Sequence, residues 1–357
     1  MKNIFLSAIA LITFGMAATE ADAQYYIVKD GKVIAHSDAD GDLLDYISFD
    51  KPSFTVSFES GEGATAVKSQ EIQFDSPATK PANPKRDGYS FKGWYNGEEP
   101  FDFSEPINGD VNLTAKWVIL EAVDLGLPSG TKWATFNVGA SAPEEFGDYF
   151  AWGETEPHYA DGHSQDNPCI DWRDDYNGYN WANYKWVEEG GNSWADINKY
   201  TFADNQKSNG ETFVGDNKKE LDDEDDVAVQ LWGGDWQMPT YEQQVELRDK
   251  CYWVWTDNYK GKSVNGYIVY KVKADADKVK KATYDVATDT HIFLPAAGHR
   301  YDARLYGAGS YGYYWSRSLD TDNSGYAHYL YFYSGVVYTL GSNRYYGRVV
   351  RAVQRKN

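Results

Sequence analysis

Cysteine is nearly absent: the 357 residues hold two, Cys169 and Cys251. Two thiols allow one bridge at most, so there is no disulfide framework of the kind that replaces a core in small secreted domains. Neither thiol sits in a metal-type or redox-type spacing, and none follows Cys251. Positive charge is short as well. Thirty-four Lys and Arg stand against 54 Asp and Glu, and the formal net charge of −20 speaks against nucleic acid and anionic lipid surfaces as partners. Long apolar runs are missing. The run from Ile4 to Met16 is too short to anchor in a bilayer, and no other segment could span one as a helix. The six His, with Ser and Asp scattered around them, form neither a nucleophile elbow nor a triad order.

What is present begins with an export signal over residues 1–23. Lys2 supplies its positive end, Ile4 to Met16 its apolar middle, and Ala21-Asp22-Ala23 a small-x-small site before Gln24. No cysteine stands beside that site to carry a lipid. The mature chain is therefore expected to be exported, at a cell surface or outside the cell with a periplasm as the alternative, and without an integral membrane segment. Its length calls for two or more domains, and 13 Trp, 29 Tyr and 16 Phe supply material for their cores. Alternating patterns prevail over helical ones, so the expected class is β-rich α+β.

Residues 24–53 read as a short hairpin segment, Tyr25–Val28 and Lys32–Ala35 around Asp30-Gly31, followed by Tyr46–Phe49. Asp38–Asp42 between them is acidic enough to suggest a calcium loop. Leu43 stands where such a loop needs Gly and Phe49 where it needs a bidentate Glu, so the expectation is an acidic turn. Residues 54–117 form a second, strand-rich unit, and 118–122 a join too short to be a flexible linker. Residues 123–357 form the largest unit. Within it, Thr155 to Gly215 lacks a steady period and reads as long surface loops. A helix is expected over Thr240 to Lys250, with Thr240 and Gln243 in a capping-box arrangement. Another is expected over Asp222 to Trp232, its acids in the first turn where the backbone dipole favours them. Strands are expected at Gly266–Val272, His291–Leu294, Tyr313–Ser318, Ala327–Tyr333, Val336–Leu340 and Arg348–Val353.

The C-terminal run Gly325 to Ser334 carries the functional signal. With a two-residue period, Tyr329, Tyr331 and Tyr333 point one way while His328, Leu330 and Phe332 point the other. One face is then core and the other a row of stiff, amphipathic phenols of the kind that binding surfaces favour. The alternative is a doubly buried strand whose phenols reach internal partners. Twelve tyrosines between Tyr301 and Tyr346, interleaved with Ser, Asn, Asp and Gly, favour the surface reading.

Two resemblances add to this. Val56, Phe58, Pro84 to Gly88, Gly88-Tyr89 with Phe91, Gly93-Trp94-Tyr95, Phe101 and Leu113 through Ala115 to Trp117 resemble the Listeria–Bacteroides repeat of internalin-like surface proteins. That implies a small β-grasp-like spacer module, with Thr114 replacing a usual aromatic and weakening one core contact. Val123 to Gly130, Tyr149 to Glu154, Trp232 to Thr240, Phe293 to Gly298, Gly312 to Ser316 and Gly347 to Val353 occur in the order of the Fibrobacter succinogenes major paralogous domain. That resemblance implies a C-type lectin-like fold related to the formylglycine-generating enzymes. Phe136, Gln237 and Arg348 depart from the usual Cys, Arg and Ser. Relatives that are oxidases use a late cysteine pair holding copper, and this chain has no thiol there. Trp152, Trp232 and Trp236 are motif positions of that fold, which implies a core role over a sugar platform.

Tyr326, Tyr329, Tyr331, Tyr333, Tyr338, Asn343 and Arg344 are the expected ligand contacts. In the branch of this fold varied by diversity-generating retroelements, the variable residues occupy outward strand positions in the same stretch. No catalytic residue and no metal ligand is assigned and no cofactor is expected, calcium being the one option left open. Asp222, Asp223, Asp225 and Asp226 offer hard oxygen ligands, and a helix N-terminus explains them equally well. Glu154, Glu156, His158, Asp161 and His163 are ligand types without one geometry, and a solvated loop accounts for them. The expectation is an exported, non-catalytic protein that binds a glycan or another surface protein. The alternative is an envelope spacer with no dedicated ligand, and an oxidase relative comes third.

Overall fold

The computed structural model describes residues 26–29, 32–33, 46–48, 51–157, 179–202, 215–272, 284–301 and 304–355. The export signal, the Asp38–Asp42 turn, Cys169, His158, Asp161 and His163 lie outside the described residues. Among the described residues the chain is β-rich, and no helix is long and apolar enough to cross a membrane. Packing divides the chain into two compact units.

In the first part of the chain the strands are β1 (Tyr26–Lys29), β2 (Lys32–Val33), β3 (Tyr46–Ser48), β4 (Ser53–Glu59), β5 (Gln70–Gln73), β6 (Ser76–Pro77), β7 (Tyr89–Asn96), β8 (Glu99–Pro100), β9 (Pro106–Ile107) and β10 (Val111–Ile119). The first unit takes Met1–Ser57, Lys68–Lys80 and Asp102–Asn112. In it β1 lies between β2 and β3, β4 pairs with β5 through Phe54↔Ile72, and β6 pairs with β9. Among the described residues, Phe54, Val56, Ala78 and Ile107 are its buried apolar ones.

The second unit takes Phe58–Val67, Pro81–Phe101 and Leu113–Asn357. It holds β7 paired with β8 and with β10, where Trp94 is buried with Leu113 and Ala115 and meets Phe58 and Phe91 edge-on. Thr114, flanked by those two inward residues, faces outward. It therefore removes no core contact, contrary to expectation, because alternation along the strand puts it on the solvent side.

The rest of that unit runs β11 (Ala122–Asp124), β12 (Lys132–Ala134), α1 (Val227–Trp232), β13 (Trp236–Gln237), α2 (Tyr241–Lys250), β14 (Tyr252–Thr256), β15 (Gly266–Tyr270), β16 (His291–Pro295), β17 (His299–Tyr301), β18 (Arg304–Tyr306), β19 (Tyr311–Leu319), β20 (Tyr326–Tyr333), β21 (Val336–Asn343) and β22 (Val353–Gln354). The expected strand at Arg348–Val353 is regular only at its end. Gly347 to Ala352 instead bonds to several segments in turn, with Arg300, Phe150, Trp315, Val138 and Ala134 as partners. Val349, Val350, Ala352 and Val353 are completely buried there. Trp152, Trp232 and Trp236 are buried in the same core.

Helix α2 carries the expected capping box, Thr240 with Gln243, and its N-terminal Thr is in extended geometry. The other expected helix is divided. Asp223–Asp225 is a 3-10 turn, and Asp226, in extended geometry, caps α1 by accepting from the N–H groups of Ala228 and Val229. The stretch expected to be surface loop contributes to the interior: Tyr179, Tyr184 and Tyr200 are fully or nearly fully buried. Their phenols find internal acceptors, Tyr184 on the Trp152 carbonyl at 2.5 Å and Tyr200 on Asp225 at 2.6 Å. A buried phenol needs such partners.

Candidate ligand-binding face

Strands β19, β20 and β21 form an antiparallel sheet in that order. Its register aligns Tyr311, Tyr333 and Val336 in one row, Tyr313, Tyr331 and Tyr338 in the next, and Trp315, Tyr329 and Leu340 in the third. Residues opposite one another share a face, so these side chains form one surface. The reverse face carries Tyr314, Leu330 and Phe332 into the core. Gly312 is required there, since a Cβ would run into the Phe332 ring.

Exposure rises along β19 and β20 toward Tyr311 and Tyr333, while on β21 both Tyr338 and Leu340 are exposed. Trp315 is closed off and Tyr329 is 7% exposed, Tyr313 and Tyr331 are half-buried, and Tyr311, Tyr333, Leu340 and Tyr338 reach 37%, 38%, 42% and 52%. The rings are mutually braced: Tyr311 stacks on Tyr331 at 6.1 Å, and Tyr313 meets Tyr331 at 5.1 Å. Burial raises the Tyr313 and Tyr331 phenols above their ordinary range, with neighbouring phenols adding to it. Both therefore stay protonated at neutral pH, as hydrogen-bond donors.

Arg348 lies beneath the closed end. Its guanidinium carbon is 3.5 Å from the Tyr329 ring centre and 4.2 Å from that of Trp315. Burial lowers it to about 10, which leaves it charged at neutral pH. Its Nε and Nη1 have no hydrogen-bond acceptor. Nearby, His299 packs against Tyr313 at 4.4 Å. Burial, with Arg348 adding to it, lowers its imidazole to about 3, so it is neutral.

Of the expected contacts, the structure brings Tyr331, Tyr333 and Tyr338 together on the open part of this surface. The others are corrected. Tyr329 belongs to the row but is buried, because Trp315 and Arg348 close that end. Tyr326 and Asn343 pair with each other at a position that alternation assigns to the reverse face. Arg344 is completely buried and donates to Tyr184 Oη and to the carbonyls of Lys199, Tyr200 and Ser324, at 3.0 to 3.1 Å. It holds loops and is not a surface contact. Missed by the sequence reading were Tyr311 and Tyr313, which the alternation of β19 could have revealed, and Leu340. Tyr311 and Tyr333 also line a shallow cleft of about 390 Å³, together with Trp255.

The acidic run is answered by cations of the chain itself. Lys199 Nζ lies 2.5 Å from Asp225 and 3.0 Å from Asp222, and Lys185 lies 3.1 Å from Asp225. Asp222, Glu224 and Asp225 bring carboxylate oxygens within 4.8 Å of one another, around that ammonium. Asp226 is engaged by Met238 N–H at 3.0 Å and by Arg317 at 3.4 Å besides its helix cap. Glu154 is buried and accepts from the Tyr179 hydroxyl and the Lys185 N–H, while Glu156 is exposed. Cys251 is buried at the end of α2, its N–H bonded to the Leu247 carbonyl.

Residues 54–116 match the family model of the Listeria-Bacteroides repeat domain. Among curated proteins, one from Evansella cellulosilytica, named as a Gly-rich membrane protein, is 40% identical over 81 residues, 22% of this chain and 9% of that protein. Another from the same organism, named as a membrane protein, is 39% identical over 80 residues, 21% of this chain and 12% of that protein. The chain thus spans a small fraction of either relative's length. No solved structure matches it.

Proposed function

We propose that the chain is an exported, non-catalytic protein of the cell envelope that binds a ligand through the tyrosine face of a C-terminal C-type lectin-like domain. In this reading residues 123–357 are that domain, akin to the Fibrobacter major paralogous domain. Residues 54–117 are a β-grasp-like spacer, 118–122 a join, and 24–53 a short hairpin segment. The names of the Evansella relatives support the envelope location. The observation that carries the reading is the cluster of exposed Tyr311, Tyr333, Tyr338 and Leu340 around half-buried Tyr331, on one face of a sheet whose other face is core.

Three of these rings covering about 100 Å² each would contribute roughly 7 kcal/mol at about 25 cal/mol per Å². Association costs on the order of 4–15 kcal/mol before any surplus appears. The face therefore needs polar contacts beside it or several copies on one surface. No metal or other cofactor enters this reading. The test is a glycan-and-protein array probed with the mature chain, followed by Tyr331→Ser with Tyr338→Ser. Retention of every array signal in that double variant would sink the reading. The burial of Tyr329 favours the alternative, an envelope spacer without a ligand, and an empty array would leave that one standing.

A further inference from the structure

The cleft at the open end of the face has an aromatic lining and polar groups beside it. Trp255, on β14, lines it together with Tyr311 and Tyr333. Tyr267 braces Trp255 and the end of β20. Its ring meets the Trp255 indole edge-on at 5.2 Å, and its hydroxyl donates to the Tyr333 carbonyl and accepts from the Gly335 N–H at 2.8 Å. The walls are thus set before any ligand arrives. Trp255 Nε1 is committed to Asp257 Oδ1 at 2.6 Å, which fixes the indole and leaves the second carboxylate oxygen. Asn265 donates its amide nitrogen to the Gly309 carbonyl at 2.8 Å, which leaves its Oδ1 as the acceptor. Ser310 and Ser334 complete the rim.

Among the described residues no lysine or arginine lies within ion-pair distance of Asp257. The rim is consequently rich in acceptors, with hydroxyls that can serve either way. It suits a ligand that brings several O–H donors, an apolar ring face and no negative charge. At about 390 Å³ the space sits at the small end of ligand clefts, which run from about 300 to 1,000 Å³. We propose that this cleft binds a neutral pyranose unit of a glycan without a metal ion, its C–H face stacked on Trp255 or Tyr333 and its hydroxyls held by Asp257 and Asn265. This rests on the ligand-binding reading and names the chemistry of that ligand. An aromatic cage for a quaternary ammonium is the competing occupant, since Asp257 would attract one. The acceptor-rich rim of Asp257 and Asn265, with the Ser310 and Ser334 hydroxyls, favours the sugar, since a quaternary ammonium brings no donor for them.

The test is a neutral-glycan array probed with the mature chain in EDTA. Calorimetric titration of its best hit follows, with glucuronate and choline in parallel. Binding of a neutral saccharide in EDTA is expected. Asp257→Asn should weaken it at least about tenfold, and Trp255→Ala should abolish it, while Trp194→Ala, an exposed tryptophan elsewhere, should leave it unchanged. If Trp255→Ala fails to fold, the exposed, near-isosteric Asp257→Asn change decides alone. Failure of all neutral glycans, preference for choline or glucuronate, or unchanged affinity in Asp257→Asn overturns the inference. A protein ligand lost in Tyr331→Ser with Tyr338→Ser, alongside that failure, would keep the face and remove only the cleft.

Discussion

The guanidinium of Arg348 lies over the Tyr329 ring, its carbon 3.5 Å from the ring centre, and no carboxylate among the described residues comes within ion-pair distance of it. A buried cation usually has a counter-charge. This one is held by ring faces, with Trp315 at 4.2 Å and Tyr313 and Tyr346 farther out. The rings return up to about 2 kcal/mol where the cation is desolvated, and two of its donors are left without an acceptor. Arg348→Met keeps the volume and removes the buried charge. It is expected to leave stability unchanged or raise it by about 1–4 kcal/mol. Arg348→Ala opens a cavity under Tyr329 and should cost about 2–4 kcal/mol. Denaturant unfolding of the two variants checks the pair. A Met variant clearly less stable than the native chain would show that the rings hold the charge more strongly than its desolvation costs.

The burial gradient divides the tyrosines by consequence. Tyr338 is 52% exposed, so Tyr338→Ser should change stability by less than about 0.5 kcal/mol while weakening ligand binding. Tyr329 is 7% exposed and covers Arg348, so Tyr329→Ser should cost about 3 kcal/mol or more. Thermal melts of the two variants, read beside the array, check this. Equal destabilisation would mean the row is buried along its whole length.

Alternation along one strand was legible in the sequence. It put Leu330 and Phe332 inward and Tyr331 and Tyr333 outward, and the Thr240–Gln243 box fixed the start of α2. Facts that depend on distant partners were not legible. A period of two cannot say which end of a row is covered, and Tyr329 is covered by Trp315 and Arg348, residues from other elements. Arg344 looked like a surface contact among tyrosines, yet two of its acceptors, Lys199 O and Tyr200 O, lie about 145 residues earlier. Trp255 gave no local sign of facing Tyr333, since Tyr267 brings them together from a third strand. The acidic run at Asp222–Asp226 carried its own cations far off in sequence, at Lys185, Lys199 and Arg317.

Those cations set what calcium should do. Lys199 Nζ occupies the space among Asp222, Glu224 and Asp225 that an ion would take, at 3.0, 3.6 and 2.5 Å. Calcium at millimolar concentration should leave the melting temperature of the native chain unchanged. In Lys199→Ala the carboxylates lose that ammonium, and calcium should raise the melting temperature of the variant, since anything that binds only the folded form stabilises it. Calorimetry of both proteins with calcium and with EDTA checks this. Stabilisation of the native chain itself would mean the ion displaces the lysine.

His299 sets an acid limit beside the tyrosine face. Its folded pKa is lowered from 6.5 to about 3 by burial and by Arg348. Tyr313, Tyr346 and Tyr306 pack around it and Arg348 is the charged neighbour. Because the unfolded chain takes up the proton first, the stability His299 contributes is complete above pH 6.5. It is lost as pH falls from there toward about 3, at no more than about 1.4 kcal/mol per pH unit. His299→Phe keeps a ring among the aromatics and removes the proton site. Asp226, which burial raises to about 6, contributes with the opposite sign over its own range, and it is common to both proteins. The difference in unfolding free energy between native and variant should therefore be flat above pH 7 and should shift in favour of His299→Phe at pH 5 and more at pH 4. Parallel curves down to pH 4 would mean that the folded imidazole takes up its proton as readily as the unfolded one.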